Sequence, residues 1–112
     1  MKKLIFISDH YQMNKKELNK FIYRLKEDGL LERHLPYLTK KVTIDELLLC
    51  LKENRNVFRQ QNTISYKNKF TGEDTKIIFS FNDIFFESNV SESALEKYFY
   101  KLSNNFLFLE IY

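Results

Sequence analysis

The sequence predicts an α+β domain in which three principal helices pack on a small antiparallel sheet. Three observations lead there. Apolar residues recur at helical spacing over about 15–28, 43–58 and 92–103; they alternate over 62–81; and the chain repeats itself, without a gap, at an offset of 77 residues. Ile7, Met13, Leu18, Phe21, Ile22, Leu25 and Leu30 are answered by Ile84, Val90, Leu95, Tyr98, Phe99, Leu102 and Leu107, and Lys20 and Arg24 by Lys97 and Lys101. The repeat would span 7–32 and 84–109 of a single domain covering 1–112.

The elements follow in order. Leu4 to Ile7 reads as a strand as well as it reads as a helix. Asn14, with Glu17 three residues on, caps a helix from about Lys15 to Asp28 whose buried face is Leu18, Phe21, Ile22 and Leu25, and Gly29 supplies the left-handed residue that ends it. Pro36 forbids simple continuation of helix beyond Leu30-Leu31. Thr43 and Glu46 form a capping box for a second helix that buries Ile44, Leu47, Leu48 and Leu51 and extends toward Phe58. From Asn62 the period becomes two: Ile64 and Tyr66, a turn over Thr71 to Asp74, then Ile77, Phe79 and Phe81 form a hairpin, with Phe79 and Phe81 assigned to the core. Asn82-Asp83 breaks the strand. Ser91 or Ser93 caps a third helix, about Glu92 to Ser103, and Phe106 to Tyr112 is a closing strand. The sheet would consist of the hairpin, this strand and, optionally, the N-terminal one.

A chain of 112 residues with 29% charged side chains, one Pro and two Gly can bury roughly two-thirds of its unfolded surface and fold without staples. The single cysteine, Cys50, cannot close an internal disulfide, which points to a reducing compartment. The start MKKLIFIS stops being apolar at Asp9-His10 and carries no cleavage signature, and no stretch has the length of a membrane span, so a cytoplasmic protein without membrane contact is expected. The net charge of +3 is unevenly placed: residues 1–41 hold ten Lys or Arg against five acids, and the remainder eight against ten. An anionic partner should meet the N-terminal third first.

The stretch from Asp83 to Leu102 resembles a helix-turn-helix, with Ile84 in the first helix, Asn89 at the left-handed turn position, Val90 as the plug, Ser91 as cap, and Leu95 and Leu102 on the buried face. The N-terminal copy matches with Ile7, Gln12, Met13, Asn14, Leu18 and Leu25, and Leu25 to Arg33 resembles the recognition-helix exit of winged-helix regulators. The resemblance is generic to that superfamily. It implies a winged-helix-like regulator of transcription or replication, with the first helix against DNA and the hairpin as a wing. Lys16, Lys20 and Arg24 fall on one helix face at i, i+4 and i+8, a spacing at which like charges destabilise a helix and an anionic partner would convert that cost into binding. Lys15 and Lys26 extend the patch, and Lys67 and Lys69 lie near the hairpin tip with Tyr66 and Phe70. The more acidic second copy, with Glu92 and Glu96, would serve dimer or partner contacts.

Enzymatic chemistry is not expected. His10 and His34 lack companions at metal-ligand spacing, Cys50 has no neighbouring His, two isolated glycines cannot cradle a phosphate, and Ser8-Asp9-His10 are adjacent in sequence, which does not build a triad. No cofactor is implied. The alternative to nucleic-acid binding is a protein-binding module, such as an immunity protein or inhibitor that neutralises one protein target, because motif-poor α+β chains of this size suit that role equally.

Overall fold

The computed structural model describes residues 1–51, 57–68, 70–89 and 93–111, the side chains of 93–95 excepted. Among these residues six strands, β1 (Lys2–Phe6), β2 (Val57–Gln60), β3 (Thr63–Asn68), β4 (Glu73–Ser80), β5 (Asp83–Ser88) and β6 (Phe106–Glu110), form one sheet in the order β2-β3-β4-β5-β1-β6, with every neighbouring pair antiparallel. Among the described residues four helices accompany it: α1 (Lys15–Glu27), α2 (Leu31–Leu38), α3 (Ile44–Leu51) and α4 (Ser93–Phe99).

The sheet therefore dominates, which corrects the expected three helices on a small sheet. It also corrects the winged-helix-like arrangement, since Asp83–Ser88, the segment that should have been a first helix, is an inner strand between β4 and β1. Asn89 does not make the sharp turn of such a motif. Its side-chain carbonyl accepts from the Asp74 amide (2.8 Å) and its amide nitrogen donates to the Gly72 carbonyl (2.8 Å), clamping the β3–β4 turn. Val90, Ser91, Glu92 and the side chain of Leu95 lie outside the described residues. The segments before α1 and α4 are both strands, and they pair with each other, Leu4 opposite Ile84, while Ile7 bridges to Thr39.

Local chemistry explains the other departures. Pro36 sits in the last turn of α2, where the N–H it lacks would have met the carbonyl of solvent-exposed Glu32, so one bond is lost without burying an orphan. Thr39 then closes the helix through its amide (3.0 Å) and hydroxyl (2.7 Å), both donating to the Leu35 carbonyl. The second predicted helix begins at its capping box, with the Glu46 amide donating to Thr43 Oγ1 at 3.2 Å. It does not reach Phe58, because Val57 to Gln60 pair with Tyr66 to Thr63 as an edge strand. Phe81 is also not a core residue. A two-residue turn separates Ser80 from Asp83, which face each other across β4 and β5, and Phe81 stands in that turn with φ of 53° and its side chain fully exposed.

The core is in two parts, one on each face of the sheet. On one face α3 and α4 cover Leu4, Phe6, Ile64, Ile77, Ile84, Phe86 and Phe106, and Phe99 of α4 meets Phe6 and Phe106 edge to face at 5.6 and 5.2 Å between ring centres. On the other face α1 and α2 cover only the β1–β6 end, burying Leu18, Ile22, Leu25 and Leu38 against Ile5, Ile7 and Leu107. β1 is thus covered on both sides, which is why Leu4 to Ile7 form an unbroken apolar run.

Candidate nucleic-acid interface

α1 owes its existence to local signals. The Asn14 side chain accepts from the Glu17 amide at 2.8 Å while the Glu17 carboxylate accepts from the Asn14 amide, and at the other end Gly29, with φ of 69°, lets the Leu30 amide reach back to the Leu25 carbonyl at 2.8 Å. With Leu18, Ile22 and Leu25 buried, the opposite face carries Lys16, Lys20 and Arg24, all exposed, beside Tyr23, also exposed.

Among the described residues none of these three cations has a carboxylate within ion-pair distance. Half of the other described cations face a carboxylate, four of them in ion pairs. Lys2 meets Glu110 (3.5 Å), Lys3 meets Asp83 (2.9 Å), Lys40 meets Asp9 (3.1 Å) and Arg59 meets Asp45 (2.6 Å), while Lys67 and Lys76 stand opposite Asp74 and Glu87 in neighbouring strands. Lys16 is also in the first turn, where the helix dipole disfavours a cation by about 0.3–1 kcal/mol. Arg24 and Lys26, in the last turn, are favoured by the same dipole.

The remaining sequence-predicted residues are dispersed. Lys15 turns inward: its ammonium donates to the Phe106 carbonyl and lies 4.1 Å from the centre of the Phe106 ring. With the Phe106 amide donating to Asn105 Oδ1 at 3.0 Å, the first residue of edge strand β6 has both backbone groups engaged by side chains. Lys26 lines a groove of about 1050 Å³ between α2 and the sheet, together with Leu31, Leu35, Pro36, Lys3, Lys41, Asn82 and Asp83. Lys67 is exposed on the sheet face that α1 and α2 leave bare, and Lys69 lies outside the described residues. Tyr66 is half-buried on the opposite face, next to Ile64 and opposite Thr75, and Phe70 is wholly exposed.

That bare face was not foreseen. Over β2 to β5 it presents Phe58, Ile78 and Phe85 among Gln60, Thr63 and Ser65, with Lys67 opposite Asp74 and Lys76 opposite Glu87. Alternation in 62–81 was the available signal, but it could not say which face a helix would cover.

The groups with catalytic potential are held structurally. The Asp9 carboxylate takes a hydrogen bond from Lys40 and another from the Asn104 amide, which hold its pKa below the usual carboxylate value. Ser8 Oγ accepts from the His10 amide at 3.4 Å, which is not a nucleophile–base contact, and the His10 side chain is exposed. Burial pushes the Cys50 thiol up, Lys101 opposes that, and Glu46 adds to it, a setting unlike that of a reactive thiolate. Among the described residues no three His, Cys, Asp or Glu side chains gather as metal ligands, and no helix is long and apolar enough to cross a membrane. No protein-family model and no curated protein matches this sequence.

Proposed function

We propose that this protein binds nucleic acid through the phosphate backbone, using α1 as its contact surface. The observation that carries this reading is the row Lys16, Lys20 and Arg24 along one exposed face of α1, none of which has a carboxylate within ion-pair distance among the described residues. At about 1.5 Å of rise per residue the row is about 12 Å long, enough to follow a few consecutive phosphates. Such contacts position a protein without reading bases, so the expected binding is sequence-tolerant. Exposed Tyr23 beside the row offers a ring to an unpaired base. A reducing, cytoplasmic setting belongs to this reading, on the strength of one unpaired cysteine.

The test is the triple replacement of Lys16, Lys20 and Arg24 by Gln, read by fluorescence anisotropy on a mixed-sequence duplex and a single strand across a salt series from about 50 to 200 mM. Helix propensity barely changes and the self-repulsion disappears, so the folded variant should be as stable as the parent or slightly more so. Binding should weaken, and the slope of log affinity against log salt should flatten by about 2 to 3 units. An unchanged slope, or a parent that binds neither oligonucleotide at low salt, sinks the reading.

A second reading has its own observation. The bare half of the sheet has Ile78 and Phe85 side by side and Phe58 on its edge strand, within a frame whose charges cancel, which suits a protein surface better than a polyanion. Four strands at about 4.8 Å spacing make it roughly 19 Å wide. An inhibitor of one protein target would use this face, and its affinity for that target would survive the triple Gln replacement intact.

A further inference from the structure

α1 and α2 lie on one face of the sheet and run in opposite directions. Lys15, at the start of α1, reaches Phe106, which pairs with Phe6; the end of α2 meets the same end of β1, where the Leu38 carbonyl accepts from the Ser8 amide and Thr39 bridges to Ile7. Both helices bury their apolar sides in the same core, so their solvent sides make one surface. At about 10–12 Å per helix this platform is roughly 20 Å wide. The major groove of a duplex is about 12 Å wide and admits one helix, and a helix flanked at its own level by a second does not project into it. The platform carries rings as well as charge. Tyr23 is 64% exposed, one turn from Lys20 and two from Lys16, and Tyr37 is 76% exposed, one turn from Arg33 on α2. The groove between α2 and the sheet takes Glu32, Leu35 and Pro36, which leaves exposed Arg33 and Tyr37 on the side of α2 away from it. Both rings gain little burial, and tyrosine is a poorer helix former than lysine or glutamine, so the core is not what places them there. Arg33, like the row on α1, has no carboxylate within ion-pair distance among the described residues.

We propose that the ligand is an unpaired nucleic-acid strand laid across both helices, with phosphates on Lys16, Lys20, Arg24 and Arg33 and bases stacked on Tyr23 and Tyr37. This rests on the basic row of α1 as the phosphate contact and adds what the row alone does not decide, the strandedness of the partner. Paired bases keep their faces inside the duplex stack, and only an unpaired strand can offer them to rings. Exposed Glu27, one turn beyond Tyr23, tempers the positive field of the row, which gives stacking a larger share of the affinity. Every base has a face to stack, so the preference is for single strands of DNA or RNA and not for a sequence.

Anisotropy titrations of the full chain at about 50 mM salt test this with a labelled DNA strand of about 12 nucleotides, the RNA of the same sequence and the DNA duplex. At least one single strand should bind about tenfold or more tightly than the duplex, and the tighter of the two identifies the source, RNA through its 2′-hydroxyls or DNA without them. Tyr23→Ala and Tyr37→Ala should each weaken that binding about fivefold or more, while Tyr23→Phe and Tyr37→Phe, which keep the ring, should retain it. Neither alanine change removes an ion contact, so the salt slope should stay that of the parent, and unchanged melting temperatures should show that both variants fold. A duplex bound as tightly as the strands, or a strand indifferent to either alanine change, overturns the proposal and leaves the basic row standing. A salt slope unmoved by the triple Gln replacement sinks the row, and this proposal with it.

Discussion

The two ends of the sheet live under different rules. At the β1–β6 end, helices cover both faces, and Leu4, Ile5, Phe6 and Ile7 are each at most 3% exposed. At the β2–β5 end only the α3–α4 side is covered, so β3 and β4 alternate buried Ile64 and Ile77 with Ser65, Lys67 and Lys76 on the bare side. One sheet thus combines the unbroken apolar pattern of a sandwiched strand with the alternation of a half-solvated one. Stability concentrates at the first end, and surface free to meet a partner is left at the second.

The sharpest way to break that comparison is to remove a ring from each end. Phe6→Ala opens a cavity against Phe99 in a site that helices close from above and strands from both sides, and should cost about 3–5 kcal/mol in urea unfolding. Phe58→Ala, on the edge strand and half exposed, should cost less than about 1 kcal/mol. Equal costs would mean that the bare half is as tightly integrated as the covered one.

A smaller effect separates two adjacent lysines that look alike in sequence. Lys15 serves the covered end, with its ammonium on the Phe106 carbonyl and over the Phe106 ring, so Lys15→Gln should lose about 1–2 kcal/mol. Lys16 has no ion pair among the described residues and sits against the helix dipole, so Lys16→Gln should change stability by no more than about 0.5 kcal/mol, in the stabilising direction. In binding the order should reverse, with only the Lys16 change lowering affinity for an oligonucleotide. Loss of stability from Lys16→Gln would make the row structural.

These contrasts also mark what sequence could reach. Signals within a few residues of each other were legible: the Asn14–Glu17 and Thr43–Glu46 caps, the Gly29 terminus, the row on α1, and the hairpin centred on Gly72. Whatever depended on a distant partner was not. Ile84-Phe85-Phe86 has no period, and only its place between β4 and β1 makes it a strand. Val57-Phe58 continue the apolar spacing of α3, and pairing with Ser65-Tyr66 overrides it. Phe81 extends the alternation of Ile77 and Phe79, but a tight turn takes it out of the sheet. Lys15 belongs to the basic patch by composition and leaves it because β6 presents a carbonyl 91 residues away in sequence.

The smallest expected effect concerns how the covered end is fastened, and it is read through pH. Asp9 follows β1 and ties two distant segments to it, accepting from Lys40, which also donates to the Leu102 carbonyl, and from the Asn104 amide. Those hydrogen bonds favour the carboxylate and depress its pKa in the folded protein. A depressed pKa means that the folded state holds the proton less tightly than the unfolded chain does, so the contribution is complete above the ordinary aspartate value of about 3.9 and fades as pH falls through the lower folded value. The Asp9 side chain is half exposed, so screening keeps the effect modest. Asp9→Asn should therefore melt slightly below the parent at neutral pH, and the two melting curves should converge below about pH 4. A gap that persists or widens in acid would mean that Asp9 acts through shape or packing, and that the loop at Asn104 is held by Ser103 and Asn105 without help from charge.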